Sequence, residues 1–212
     1  MPNKINSPYT ATITGCGFLY YEFQRMLPLL MAENSEALLK DELENNRIFH
    51  VNSRTSRSRF MIEFKRRYAA VPVSFWMQYQ QLSESGQRAG LLYAILKCYK
   101  LVFDFHFNVT VKLWNSIDHH LNKSNVMMVF SEIAAQDAFV DSWTENTKDR
   151  CASQYLTILR QAGLLDGKTG ELQALHLEAG DFEYYLRSGE EWFLEACFLY
   201  PYEINDIKSR LQ

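Results

Sequence analysis

Apolar residues recur at the spacing of an α-helix through most of this chain. Leu19, Phe23, Met26, Leu27 and Leu30 share one face of a helix over Phe18–Met31, with Pro28 inside it predicting a kink or an early stop. SEALLKDELENN follows, with Ser35 as its cap, Leu38, Leu39 and Leu43 on one side, and Asn45-Asn46 as its end. A third helix starts near Ser53 and runs to about Ala70, before Pro72. Its stripe is Phe60, Met61, Phe64 and Tyr68. Ser74 caps FWMQYQQLSESG, and Gly86 separates that piece from an apolar run over 88–114. Residues 1–16 read as an irregular arm, with Gly15 and Gly17 marking a turn around Cys16.

The second half carries a different order. SIDHHLNKSN (116–125) is polar and turn-rich, which places a boundary near 115–124 and divides the chain into 1–118 and 119–212. Ser124 caps a helix over about 125–137, a short segment Ala138–Trp143 follows, and Thr144 caps a long helix ending at Gly163. DGKTG (166–170) is a tight-turn signal, and ELQALHL after it alternates like a strand. Helix, short helix, helix, hairpin is the order of a winged helix-turn-helix. The expected fold is therefore all-α: a helical N-terminal bundle and a winged-helix-like C-terminal part with one small β-hairpin. Two more helical pieces fall near 181–187 and 190–199.

Composition narrows the class. Hydrophobic residues at 47% and aromatics at 14% allow a sizeable core and argue against disorder. The four cysteines show no metal-ligand spacing, and the five histidines are scattered, so neither a metal nor a cofactor is expected. Leu91–Trp114 is the most apolar stretch, but it carries Lys97, Lys100, Asp104, His106 and Lys112. Each charge at mid-bilayer depth costs about 2.5–3.5 kcal/mol, so a buried helix is expected rather than a membrane span. With no signal-peptide pattern, a cytoplasmic protein is expected. No nucleophile elbow, glycine-rich phosphate loop or zinc-protease motif is present, which points away from an enzyme.

Charge distribution supplies the first candidate site. Arg47, Arg54, Arg57, Arg59, Lys65, Arg66 and Arg67 stand against one acid, Glu63, giving +6 locally on a chain of net charge −3. Such asymmetry is the footprint of a phosphate-binding face, and on a helical wheel Arg59, Lys65 and Arg66 point away from the apolar stripe. The second candidate is the helix from Glu145 to Ala162. One face carries Ala152, Tyr155, Leu156 and Leu159, and the other carries Arg150, Gln154 and further polar residues without an acid. Arg and Gln can read base edges. Lys148 near the helix start and Lys168 at the hairpin tip are placed to reach phosphates.

Four segments together resemble the BrxA family, a small component of bacteriophage-exclusion (BREX) defence systems. YTATITGCGFLYYEF is similar to the family's opening Y-x-A-x-(I/L)-T-x-G-G, with Cys16 set between the two glycines. NSRTSRSRFMIEFKRRYAAV resembles its Arg-rich second region, SWTENTKDRCASQYLTILRQAGLLD its C-terminal block, and LQALHL its closing strand. The resemblance spans about residues 9–187. It implies a helical, non-enzymatic, cytoplasmic protein acting with other BREX proteins, in a family whose members are thought to bind DNA and have been likened to the RNA binder NusB. The expected ligand is double-stranded DNA, held with little sequence preference. A protein-interaction scaffold and a NusB-like RNA binder are the alternatives.

Overall fold

The local signals for helix ends account for much of the architecture. A computed structural model describes residues 6–211. After a 3₁₀ turn at Thr12–Gly15 come α1 (Tyr20–Met31), α2 (Ser35–Asn45), α3 (Arg54–Ala69), α4 (Val73–Tyr79) and α5 (Glu84–Cys98). Ser53 caps α3 by accepting the N–H of Ser56, and Thr144 caps a later helix by accepting that of Thr147. Asn46 ends α2 in the left-handed conformation at φ 50°. Pro28 neither stops nor shortens α1, which runs on to Met31.

Several predicted caps shift. Asn34, not Ser35, precedes α2. Pro72 precedes α4, which Ser74 therefore does not cap. Gly86 lies inside α5 and separates nothing; the cap there is Ser83, whose hydroxyl accepts the Gly86 N–H. The apolar run over 88–114 is not one helix. It breaks at Tyr99, which is extended at φ −123° and ψ 103°, and resumes as α6 (Lys100–Phe105), a π-helical segment (His106–Val111) and α7 (Lys112–Trp114).

Beyond the 115–122 connection lie α8 (Lys123–Gln136), α9 (Ala138–Asp141) and α10 (Glu145–Ala162), the order read from the sequence. Asn122, rather than Ser124, caps α8, exchanging bonds with Asn125 in a capping box. Gly163 stops α10 at φ 92°, a backbone geometry that a side chain would strain. The hairpin is smaller than predicted. It is closed by one isolated antiparallel bridge, Leu165 to Leu172, and a second bridge, His120 to Glu171, ties it to the 115–122 connection, with no longer strand among the described residues. ELQALHL pairs only at its first two residues. A 3₁₀ turn (Ala179–Phe182), α11 (Glu183–Arg187), α12 (Trp192–Ala196) and α13 (Pro201–Arg210) complete the chain.

Buried apolar side chains from Ile13 to Ile204 form one cluster. Residues 91–96 of α5 are buried on every side, and α10 packs against α5, α8 and the Thr12–Gly15 turn. His106 is fully buried in this core. Its Nε2 lies 2.8 Å from the Ala196 carbonyl, so that nitrogen carries the proton, and its Nδ1 lies 3.2 Å from the Tyr155 hydroxyl. Burial lowers its pKa to about 4, with the carbonyl opposing the shift. No helix among the described residues is long and apolar enough to cross a membrane.

Candidate nucleic-acid interface

The cationic helix α3 has two faces that its linear charge conceals. Arg57 and Arg67 lie on the inner one, 7% and 0% exposed. Arg57 donates to the carbonyls of Leu43, Val51 and Asn52, tying α3 to the end of α2 and the loop after it. Arg67 donates to the carbonyls of Cys16, Gly17 and Phe18. Its Nε lies 3.3 Å from the Tyr99 hydroxyl, which itself donates to Glu63 at 2.6 Å. The break at Tyr99 thus sits beside a buried polar network. A guanidinium is suited to this position because its planar fork of donors reaches three carbonyls and a hydroxyl at once. Both arginines are structural ties and are unavailable to a phosphate.

On the outer face, neighbouring acids neutralise most of the charge. Arg54 pairs with Glu44, Lys65 with Glu36, Arg66 with Glu63 and Arg47 with Asp41. The Arg54 guanidinium holds the Glu44 carboxyl below its ordinary range, through a hydrogen bond and direct attraction. Glu42 is buried and accepts the N–H groups of Arg47, Ile48 and Phe49. Residues 36–67 together hold five acids and, with Lys40 added to the seven, eight bases, leaving +3 where 47–67 alone suggested +6. Arg59 alone among the seven is both exposed and without a carboxylate or carbonyl partner among the described residues.

Arg59 also lies against the N-terminal arm. A Cβ at Gly15 would stand 3.1 Å from its Cδ. From the opposite side, Gln154 of α10 fills the space over Gly17, where a Cβ would stand 2.1 Å from its Nε2. Both glycines therefore exist for close approach, and the arm runs between α3 and α10. Tyr9 anchors its start through a 2.8 Å bond to Asp104. Cys16 is buried in the same place. Burial pushes its thiol up to about 11 despite Arg67 and Arg59 nearby, so it stays protonated.

The C-terminal candidates separate in the same way. Gln154 packs on the arm and is not free to read bases. Lys148 is mostly covered and pairs with Glu145 at 3.1 Å. Arg150 and Lys168 are exposed and carry no carboxylate partner among the described residues. Lys168 sits at the tip of a turn closed by Asp166, which accepts the N–H groups of Lys168 and Thr169. Arg160 joins this surface, its Cδ 3.5 Å from the Cβ position of Gly167. Sequence reasoning missed Arg160 because a cation in the last helical turn reads as an ordinary complement to the helix dipole. The structure thus leaves three unpaired cations on α10 and the hairpin, and one on α3 across the arm from α10.

These features define an all-α protein with cations on α3, α10 and the hairpin that have no carboxylate partner among the described residues and, among the same residues, no group of three or more His, Cys, Asp or Glu placed to hold a metal. The chain belongs to the BrxA family, whose model matches residues 7–188, and is thereby associated with BREX phage defence. No curated protein matches it. A crystal structure of an uncharacterized protein from Magnetospirillum magneticum is similar in fold. It is 20% identical, with a TM-score of 0.75, over 90% of this chain and 98% of that one. At that identity the likeness establishes the fold alone.

Proposed function

We propose that this protein is a non-enzymatic, cytoplasmic DNA-binding subunit of a BREX system, contacting duplex phosphates through Arg59, Arg150, Arg160 and Lys168. The observation that carries this reading is the absence, among the described residues, of acid partners at these four exposed cations, while Arg54, Lys65, Arg66 and Lys148 are paired. An unpaired guanidinium loses no ion pair on meeting a phosphate and offers it a planar fork of donors. The paired residues on α3 play a secondary part. Exposed ion pairs are worth about 0–1 kcal/mol, so they can open, but the freed carboxylates of Glu36 and Glu44 then repel the DNA. Winged-helix likeness in the order of α8, α9, α10 and the turn supports α10 as the element nearest the duplex.

Contact with few phosphates predicts weak binding, on the order of micromolar at physiological salt, with little sequence preference. Fluorescence anisotropy with labelled duplex over a salt series tests the reading. Four contacts give a log–log slope of about −3 to −4. The triple variant Arg59→Glu, Arg150→Glu, Lys168→Glu is expected to lose binding while keeping its thermal midpoint, because all three side chains are exposed. Parent-like affinity in that variant defeats the proposal. Preference for single-stranded RNA over duplex would move it to the NusB-like alternative.

A further inference from the structure

The C-terminal end of the molecule carries charge of the opposite sign. Residues 171–212 hold nine acids and three bases, a formal −6. In this region a surface cavity of about 610 Å³ lies between the segment after the hairpin, the 3₁₀ turn at Ala179–Phe182 and α13. Leu177, Leu199, Tyr202 and Ile207 give it an apolar lining, and Glu178, Glu203 and Asp206 stand around it. Arg210 pairs with Asp206 and offsets part of this charge. Tyr202 stacks on Tyr200 with one face, yet remains 69% exposed, a large aromatic surface open to a partner.

A second, independent observation concerns the backbone beside the cavity. Residues 173–178 run without helix or turn. Gln173 and Leu175 direct their N–H groups into the protein, to the carbonyls of Leu164 and Cys197. In a strand, alternate residues direct these groups to opposite edges. Ala174 and His176 therefore face away, and neither N–H has an acceptor among the described residues. The sequence alternates as a strand, yet among the described residues it has no partner strand beyond Leu172. Unpaired edges of this kind accept an added strand from another chain.

We infer that this groove docks an extended segment of a partner protein, which adds as a strand beside Ala174–His176, places apolar side chains in the cavity and presents Lys or Arg to Glu178, Glu203 and Asp206. The acids exclude nucleic acid as the occupant, and the free edge selects an extended segment over a helix. The site is independent of the DNA reading, since the groove carries the opposite charge and α13, which supplies Tyr202, Glu203 and Asp206, lies beyond the matched family region, while the edge at 174–178 lies within it.

The test uses the full chain and a labelled peptide alternating Val or Ile with Lys or Arg. Its controls are the same peptide with Glu for the bases and the basic peptide N-methylated at alternate amides. The basic peptide is expected to bind and to slow amide exchange at 174–177. Both controls, and the variant Tyr202→Ala, Asp206→Lys, are expected to weaken binding by about tenfold or more, the size of a lost anchor contact. Both substituted residues are exposed, so an unchanged thermal midpoint verifies folding. Saturating duplex DNA is expected to leave peptide binding intact. Absence of binding by the basic peptide, or equal binding of the N-methylated or acidic one, overturns the inference. Displacement by DNA, or a dimer that the double variant dissolves, reassigns the groove and overturns it as well.

Discussion

Arg59 and Arg67 lie on one helix, just over two turns apart, and have opposite fates. Arg67 is fully buried and holds three carbonyls of the arm, while Arg59 is exposed and has no carboxylate partner among the described residues. The inner face of α3 uses charge to build the protein, and the outer face leaves one charge for something else. Counting basic residues along a sequence cannot separate these uses, because a guanidinium can satisfy backbone carbonyls as well as phosphate oxygens.

The sharpest way to break the contrast is at the inner face. Arg67→Met leaves the Cys16, Gly17 and Phe18 carbonyls without their donor and removes the guanidinium from the Tyr99 hydroxyl. Losing one partner of a buried charged network costs about 3–5 kcal/mol. In a chain of this size that lowers the thermal midpoint by roughly 10 °C. Scanning calorimetry reads the shift, and new proteolytic cleavage near residues 15–19 would trace it to the arm. Arg59→Met at the outer face is expected to leave both unchanged.

His106 extends the comparison to a buried group held neutral. Its pKa in the folded protein is about 4, below the unfolded value of about 6.5. The unfolded chain therefore takes up a proton first on acidification. Stability from this residue is complete above about pH 6.5 and is lost as pH falls toward 4, by roughly 3 kcal/mol in all. Denaturant midpoints measured across that window should flatten in His106→Gln relative to the parent. An equally steep parent and variant would place the acid sensitivity elsewhere.

Smaller effects sharpen the picture of the arm and the outer face. Gly17→Ala obliges the Gln154 amide to move and is expected to cost about 1 kcal/mol, recovered in the double variant with Gln154→Ala. Lys65→Ala and Arg54→Ala should each change stability by less than about 1 kcal/mol, as exposed pairs do. Replacing Glu36 and Glu44 by Gln should tighten duplex binding if α3 borders the DNA. An unchanged salt slope and affinity would confine contact to α10 and the hairpin.

Helix positions and several ends were legible because their signals are local: the Ser53 and Thr144 caps, the stops at Asn46 and Gly163, and the apolar stripe of α3. The break at Tyr99 was not, since an apolar run buried on every side shows no periodicity to interrupt. The burial of Arg57 and Arg67 had a faint signature. Residues 57, 61, 64 and 68 share one stripe, and Arg67 follows Phe64 by three, so both arginines border the core face. The ion pairs between α2 and α3 depend on how two helices meet, which no single helical wheel contains. The strand character of ELQALHL was real in pattern, but pairing requires a second strand, and only two residues find one.

The arm is made before the groups that hold it. Its carbonyls wait for a guanidinium some fifty residues downstream, and Tyr9 for a carboxylate 95 residues away. Gly17 meets Gln154 only after most of the chain has been synthesised. During translation the opening residues thus leave the ribosome without their final neighbours. The arm is fastened by groups that do not yet exist when it emerges, so a nascent chain halted before α10 leaves one side of the arm uncovered.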